Sequence, residues 1–317
     1  MSRNRNSGGN RRRGSQGGGS SGGAKGKRRS SPSRGPSRRP QSRRPQGQRG
    51  TTPRRDDPMN RSRGPSLGGD QVEGRHAVRE LLLAGTRRTR EVVLAGDLDD
   101  APILGDIIDL ADENKVPIRE LPRSKFESMA RTGASQGVLA TAAPLQPAEL
   151  EDLLSNGAGV DQPFLLLLDG ITDPQNLGAI LRTAECAGVT GVVLPRHRAA
   201  HITPSVTKAA AGAIEHLRIA LVGGLPTAMQ TLSAAGVWTV GLDSSGDQPI
   251  HRLTVADEPI ALVLGAEGPG LSRLVRQRCD ALASIPLQGA LGSLNVSAAA
   301  AVACFEILSR RSQRPSE

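Results

Sequence analysis

The sequence predicts an α/β protein whose C-terminal part is a parallel sheet covered by helices. Two observations carry this prediction. Between residues 164 and 311, apolar runs of strand length alternate with helical segments, and continuous apolar strands are typical of buried parallel sheets. Residues 70–143 show a second, shorter alternation, which indicates a separate small α/β domain.

Residues 1–69 are predicted to form a disordered basic tail. Residues 1–65 contain 19 of the 41 Lys and Arg residues and two acids, a net charge of +17. The other 22 basic and 29 acidic residues leave the rest of the chain at −7. A segment with so few large apolar side chains cannot offset its ordering entropy. We interpret it as a weak RNA-binding tail, and the alternative is a passive leader.

The cysteine and hydropathy patterns narrow the possible functions. Cys186, Cys279 and Cys304 show no CxxC spacing, which argues against a disulfide framework or a zinc site and fits a reducing cytoplasm. No signal peptide is visible, and the apolar run Phe164–Leu168 is too short to span a bilayer. We therefore expect a cytoplasmic protein without a metal and without a membrane partner.

The elements of the small domain follow from the spacing of apolar residues. Helical spacing, every three or four positions, is found in Arg75–Ala84, Ile103–Asn114 and Ser124–Ala130. Strands are predicted at Glu91–Ala95, Val116–Leu121 and Gly137–Ala142. The Pro- and Gly-containing segment 144–163 is a predicted linker with one helical turn around Leu150–Leu154.

The large domain, residues 164–317, is predicted to contain five strands and five helices. The strands are Phe164–Leu168, Gly191–Leu194, Val237–Leu242, Ile260–Leu264 and Ala283–Leu287. The helices are Leu177–Ala187, Thr207–Ile214, Pro226–Ala235, Leu271–Arg278 and Val296–Leu308. The last helix is apolar on nearly every face, so we expect it to be buried on most sides. Parallel sheets of this kind bind ligands at the carboxyl ends of their strands.

The first candidate loop, Asp169–Asn176, follows the first strand of the large domain and leads into a helix. Asn176 is a good N-cap for that helix. Arg182 lies off the predicted buried face and leans over Gly178, where the missing side chain would let a substrate approach. An Arg182–Glu185 surface pair is an equally good explanation of this arginine.

Two further glycine-rich loops follow later strands. Gly265-Ala266-Glu267-Gly268-Pro269-Gly270 allows a ligand to approach the backbone, yet it lacks both Walker A and GxGxxG spacing. Glu267 could accept hydrogen bonds from a hydroxyl or an amine, or simply lie near a helix N-terminus. Ser293 and Asn295 follow a loop containing Gly289 and Gly292, and either of them could cap the last helix.

The three loops together resemble a known family. DGITDPQNLGAILRTAE, LVLGAEGPGLS and IPLQGALGSLNVSAAAA resemble, in order, the three motifs of the SpoU-type RNA ribose 2′-O-methyltransferases of the SPOUT class. Lys208 with Ala211-Gly212-Ala213 is similar to a further family segment. Glu73–Val78 and Gln136-Gly137-Val138 resemble the family's ribosomal-protein-like RNA-binding domain, although Ser135 stands where members often have His.

The resemblance implies a deep trefoil knot in the C-terminal domain, a homodimer and S-adenosylmethionine as cofactor. It implies cofactor contacts at Leu242, Gly265, Gly268, Ile285 and Leu294. It also implies a catalytic set formed by Arg182, Asn176, Glu267, Ser293 and Asn295. In this set Arg182 activates the ribose hydroxyl, and its permanent charge favours a clamp on the adjacent phosphate over a role as base.

The two-domain layout is most similar to the subgroup that methylates a guanosine in 23S rRNA. A tRNA 2′-O-methyltransferase and a non-catalytic ribosome-assembly RNA binder of the same fold are the alternatives. The joint presence of Asn176, Arg182, Glu267, Ser293 and Asn295 argues against the non-catalytic alternative.

Overall fold

The computed structural model describes residues 66–133, 135–154, 162–197 and 201–313, so the charged segment 1–65 lies outside the described residues. The described residues form two sheets, each flanked by helices. The smaller sheet is built from residues 71–142 and the larger one from residues 164–284.

The smaller sheet is mixed and has the order β1-β4-β2-β3. Its strands are β1 (Gln71–Glu73), β2 (Thr89–Ala95), β3 (Ile118–Leu121) and β4 (Val138–Ala142). β4 is antiparallel to β1 and β2, whereas β2 and β3 are parallel. Its helices are α1 (Arg75–Ala84), α2 (Pro102–Glu113) and α3 (Arg123–Met129). α1 and α2 bury Leu81 and Ile107 against one face, and α3 buries Phe126 against the other.

The larger sheet has the order β7-β6-β5-β10-β8-β11-β9, and every pairing in it is parallel. Its strands are β5 (Phe164–Asp169), β6 (Gly191–Pro195), β7 (Ile219–Val222), β8 (Trp238–Leu242), β9 (Gln248–Pro249), β10 (Ile260–Gly265) and β11 (Ala281–Ser284). Its helices are α4 (Pro174–Cys186), α5 (Pro204–Ala209), α6 (Leu225–Ala234), α7 (Arg273–Arg278) and α8 (Val296–Ser312).

The two faces of the larger sheet carry separate apolar cores, because successive strand residues point to opposite sides. On β5, Phe164, Leu166 and Leu168 pack with α4, α5 and α8, whereas Leu165 and Leu167 pack with α6 and α7. This layering confirms the predicted parallel sheet with helices on both faces. β10 lies between β5 and β8, although β8 precedes it in the chain. The deep trefoil knot stays a prediction.

Three short strands, β1, β7 and β9, are missing from the prediction. They contain two to four residues each, too few to show the alternation that distinguishes a strand from a loop. β11 begins two residues earlier than predicted and ends at Ser284. Asp280 donates its N–H to the Thr239 carbonyl and accepts the Thr239 N–H, which aligns the start of β11 with β8.

The predicted helix Thr207–Ile214 is divided in the structure. α5 ends at Ala209, and a separate 3₁₀ turn covers Ala213–Glu215. Ala211 and Gly212 lie between them with positive φ angles of 50° and 91°, a backbone conformation that ends an α-helix.

The end of the predicted tail 1–69 belongs to the fold. Leu67, a large apolar residue, is buried in the core of the larger sheet. The Gly69 N–H donates to the Ile202 carbonyl at 2.8 Å, and Gly68 and Gly69 both have positive φ. The middle of the predicted linker 144–163 is also packed, since Leu153 in the 3₁₀ turn Glu151–Leu153 belongs to the apolar core on one face of the larger sheet.

Helix α8 is buried on one face only, contrary to the prediction. Ala300, Ala303, Cys304 and Ile307 face the core. Val302 and Phe305 on the opposite face are 44% and 46% exposed. The sequence pattern fails here because apolar residues on every face look the same whether a face meets the core or is left uncovered by this chain.

None of the helices in the described ranges is long and apolar enough to cross a membrane.

Candidate active site

A cavity of about 430 Å³ lies at the carboxyl ends of β8, β10 and β11, between the two glycine-rich candidate loops. All five predicted cofactor residues line it, and so do three predicted catalytic residues. The first group is Leu242, Gly265, Gly268, Ile285 and Leu294, and the second is Glu267, Ser293 and Asn295. The cavity falls in the size range of small-molecule sites, about 300–1,000 Å³. The structure thus brings together residues that are up to 53 positions apart in the chain.

A chain of three side chains connects the candidate loops. The Asn176 amide donates from Nδ2 to Oε2 of Glu267 at 3.1 Å. In turn, Asn295 Nδ2 donates to Asn176 Oδ1 at 3.0 Å. Asn176 therefore uses both ends of its amide to join the loop after β10 to the start of α8. The predicted catalytic residues Asn176, Glu267 and Asn295 form one hydrogen-bonded unit.

Capping explains why Asn176 and Asn295 reach each other. Asn295 is the N-cap of α8, and its Oδ1 accepts from the Ser297 N–H at 2.9 Å, so its Nδ2 is left to contact Asn176. Asn176 is not the N-cap of α4, contrary to the prediction. Asp173 fills that role, because its carboxylate accepts the backbone N–H groups of Gln175 and Asn176 and Pro174 occupies the first helical position.

Arg182 lies about one and two-thirds turns beyond Asn176 on α4, about 9 Å along the helix axis. It is exposed, does not line the cavity, and makes no hydrogen bond or ion pair within the described part of the chain. The predicted open space at Gly178 is absent. A Cβ at Gly178 would collide with Ala209 and lie 2.9 Å from the Val206 carbonyl oxygen, so this glycine permits α4 and α5 to pack.

Gly265 and Gly268 line the cavity for different reasons from the one predicted. A Cβ on Gly265 would lie 2.5 Å from the Gly270 carbonyl oxygen and closer still to the Leu271 nitrogen, so Gly265 makes room for its own loop. The Ala266 and Gly270 N–H and carbonyl groups pair across that loop. Gly268 faces open space and is required by its φ of +84°.

The part of the cavity wall that directly follows Leu242 is not predicted from the sequence. Asp243 and Ser244, in the loop after β8, line the cavity. Asp243 accepts the Ser245 hydroxyl at 2.6 Å and the Arg276 Nε at 3.0 Å. These hydrogen bonds hold the pKa of Asp243 below its usual range, with Ser245 as the larger cause. The signal in the sequence was the predicted strand Val237–Leu242, which is followed directly by the polar run Asp-Ser-Ser-Gly.

The charges of the cavity suit a cationic ligand. Asp243 and Glu267 are the only charged side chains among the described residues that line it, and both are acids. S-adenosylmethionine carries a sulfonium and an ammonium group beside one carboxylate, a net positive charge, so two acidic side chains at the cavity fit this cofactor. Within the described ranges, no group of three or more His, Cys, Asp or Glu residues could hold a metal ion.

The thiols are poor nucleophiles. Burial raises the pKa of the Cys279 and Cys304 thiols to about 12, and both remain protonated at neutral pH.

Comparison with known proteins gives two family matches. Residues 163–305 match the SpoU rRNA Methylase family, and residues 71–148 match the family described as RNA 2′-O ribose methyltransferase substrate binding. The first match contains the whole candidate site, and the second contains the smaller sheet.

Curated relatives cover both parts of the chain. The 23S rRNA (guanosine-2′-O-)-methyltransferase RlmB of Pseudomonas aeruginosa is 40% identical over 245 residues, 76% of this chain and 97% of the relative. The putative TrmH family tRNA/rRNA methyltransferase YacO of Bacillus subtilis is 40% identical over 206 residues, 65% of this chain and 82% of the relative.

Solved structures share the fold. A putative RNA methyltransferase of the TrmH family from Porphyromonas gingivalis is 30% identical with a TM-score of 0.60, covering 76% of this chain and 89% of that one. The SpoU methyltransferase AviRb from Streptomyces viridochromogenes, solved with AdoMet, is 22% identical with a TM-score of 0.63, covering 77% and 91%. Given the three joined loops and relatives matched over nearly their full length, this chain belongs to the SpoU rRNA methylase family.

Proposed function

We propose that the protein methylates the 2′-hydroxyl of a guanosine in 23S rRNA, with S-adenosylmethionine as methyl donor. The hydrogen-bonded chain Glu267–Asn176–Asn295 carries this proposal, because it joins residues of all three motifs and two of its members line one ligand-sized cavity. The guanosine and the 23S rRNA come from the names of relatives that are 36–40% identical over at least 76% of this chain.

The cofactor is held by the cavity wall. Leu242, Gly265, Ile285 and Leu294 contribute the wall by resemblance to the family, and Gly268 shapes the loop between them. When bound, S-adenosylmethionine supplies a methyl group on a good leaving group, so the protein's own task is to position the hydroxyl, whose proton leaves through the adjacent phosphate to water as the methyl group arrives. Asp243 and Glu267 provide the negative field that favours the charged cofactor.

The ribose is positioned by the five predicted catalytic residues. Arg182 clamps the phosphate next to the target ribose, because a planar guanidinium can donate two parallel hydrogen bonds to phosphate oxygens. Its exposure and its lack of an ion pair among the described residues leave the guanidinium available for this role. Asn176 orients the substrate, and Ser293 contacts the nucleotide. Glu267 and Asn295 keep Asn176 in place.

The direct test uses the purified full chain with S-adenosylmethionine and rRNA or tRNA from cells that lack the gene. We expect one 2′-O-methylated guanosine to appear in 23S rRNA and none in tRNA, as mapped by mass spectrometry of RNA fragments. A tRNA product would support the second candidate, which is favoured by relatives named as tRNA/rRNA methyltransferases. S-adenosylmethionine binding in calorimetry separates both from a non-catalytic RNA binder.

We infer a division of labour along the chain. Residues 70–143 bind RNA, and residues 144–163 connect them to residues 164–317, which catalyse methyl transfer. The match of residues 71–148 to a substrate-binding family supports the first role.

We also propose that the protein works in the reducing cytoplasm. Its three cysteines are all unpaired, which supports this location.

The proposed homodimer places α8 at its interface. Ala298, Val302 and Phe305 follow one another at helical spacing on the exposed face of this helix. Phe305→Glu should convert the dimer to a monomer in light scattering at micromolar concentration, because a charge would be buried at the interface. Leu83→Glu on α1, where the leucine is 51% exposed, is the matched control and should leave the dimer intact. A wild-type protein that is monomeric would contradict this proposal.

The charged tail should recruit RNA without choosing the target. Residues 1–65 lie outside the described residues, but their +17 charge would release counterions from a polyanion. Deleting them should lower RNA affinity at low salt and flatten the dependence of log affinity on log salt. The methylated nucleotide should stay the same, because base and shape readout belong to the ordered domains. Equal salt slopes for both proteins would show that the tail is passive.

A further inference from the structure

A buried ion pair joins the smaller sheet to the larger one. Arg87 lies in the turn between α1 and β2, and Glu215 ends the 3₁₀ turn before β7. Arg87 Nε donates to Oε2 of Glu215 at 2.8 Å, and Nη2 donates to Oε1 at 2.7 Å. The two side chains are only 7% and 1% exposed. Such a bidentate pair fixes orientation as well as distance.

The remaining arm of the Arg87 guanidinium ties the smaller sheet together at its base. Nη1 donates to the carbonyl oxygens of Gly69 and Ala143, both at 2.6 Å. Gly69 lies just before β1 and Ala143 just after β4, where the chain enters and leaves this sheet. One side chain therefore connects the entry, the exit and the neighbouring domain.

The backbone around the ion pair is packed too closely for a loose hinge. A Cβ on Gly212 would collide with the Cβ of Glu80 on α1. The Glu80 carboxylate lies 3.0 Å from Nε2 of His216. On the other side, the Gly69 N–H donates to the Ile202 carbonyl. The smaller sheet thus rests directly on residues 202–216.

Residues 202–216 also contact α4, the helix that carries Asn176 and Arg182. α5 packs on α4 at Gly178, two residues beyond Asn176 and four before Arg182. On its other side, the Lys208 side chain lies 3.8 Å from the position of a Cβ at Gly74, beside Arg75. The segment therefore links the candidate RNA-binding surface to the helix that carries Arg182.

We propose that the Arg87–Glu215 pair holds the RNA-binding domain as a rigid arm, whose fixed distance from Arg182 selects the ribose that is methylated. The second half of this statement rests on the proposed function. A complete buried pair adds little to stability compared with an apolar contact, but an incomplete one leaves a buried charge. Domains joined only by a linker move relative to each other by default. The pair therefore fixes the orientation of the smaller domain relative to the larger one, and both residues are positioning residues.

The test compares full-length wild type with Glu215→Ala, Glu215→Gln and the control Arg119→Ala. Arg119 also forms an ion pair, but its partner Glu91 lies inside the smaller sheet and half of the Arg119 side chain is exposed. We expect Glu215→Ala to speed hydrogen exchange of the Gly69 and Ile202 amides at least tenfold, because both amides donate where the segment 67–69, which leads into β1, meets Ile202. Glu215→Gln keeps the side-chain shape and should show a smaller increase. Arg119→Ala should match wild type.

Activity provides the second readout. For Glu215→Ala, kcat/KM on rRNA should fall about tenfold or more with S-adenosylmethionine affinity unchanged, and methylation should spread to riboses near the target. Unchanged exchange rates and an unchanged methylation site would overturn the proposal. Lost cofactor binding would also overturn it, since the pair would then only maintain the fold. If Glu215→Ala does not fold, Glu215→Gln is compared with wild type instead. Absence of methyl transfer by wild type contradicts the proposed function, whereas the exchange rates still decide whether the arm is rigid.

Discussion

Arg182→Ala is expected to reduce methyl transfer about 10²- to 10³-fold, the usual effect of removing one preorganised group that stabilises charge in the transition state. S-adenosylmethionine affinity should stay within about twofold of wild type in calorimetry, because Arg182 does not line the cavity. The loss should appear in the single-turnover rate constant, measured with enzyme in saturating excess over RNA, since the phosphate clamp acts on the reacting ribose.

Two variants make this result specific. Glu185→Ala removes an exposed charge from the same helix and should methylate at the wild-type rate. Arg182→Lys keeps the charge but loses the planar fork, so it should recover only part of the activity. A normal rate for Arg182→Ala would show that another residue activates the hydroxyl.

Gly265→Ala is expected to weaken S-adenosylmethionine binding about 10- to 100-fold, the equivalent of an overpacking cost of about 1–3 kcal/mol. The new Cβ would strike the backbone at Gly270 and Leu271 and push the loop out of its present path. Glu267 belongs to that loop, so its hydrogen bond with Asn176 should also be disturbed. Calorimetry measures the affinity, and thermal unfolding shows whether the cost also reaches the fold.

Gly289→Ala is the matched control for this loop variant. Gly289 lies in the last glycine loop, and a Cβ there would meet open space. Its cofactor affinity should equal that of wild type. Wild-type affinity for Gly265→Ala would instead show that the loop after β10 adjusts freely and that its shape does not determine cofactor binding.

The fold class could be predicted because its signals are local. The apolar runs of β5, β6, β8 and β10 and the helices between them are long enough for periodicity to identify them. β7 and β9 escaped detection because their place in the sheet depends on neighbours, and β9 has only two residues. The exposed face of α8 was predicted wrongly for a related reason, since composition does not say which face meets the core.

The candidate site could be predicted in its members but not in its geometry. The three motif loops and their polar residues were identified from the sequence, and Asn176, Glu267 and Asn295 do meet. The roles of the glycines were not identified correctly from the sequence. Gly178 and Gly265 look like openings for a ligand, yet their missing Cβ atoms make room for α5 and for the loop backbone. Asp243 was overlooked because a lone acid after a strand carries little information.

The sequence by itself determined the α/β class, the charged tail, the three motif loops and the resemblance to the SpoU family, because each depends on residues close together in the chain. Only the tertiary structure decided which side chains share a hydrogen bond, which glycines are filled by backbone, and that Arg87 reaches Glu215 across 128 positions. Contacts between distant segments depend on sheet order and on the close packing of helices. Neither the sheet order nor the packing of helices can be predicted from the pattern of residues within one segment.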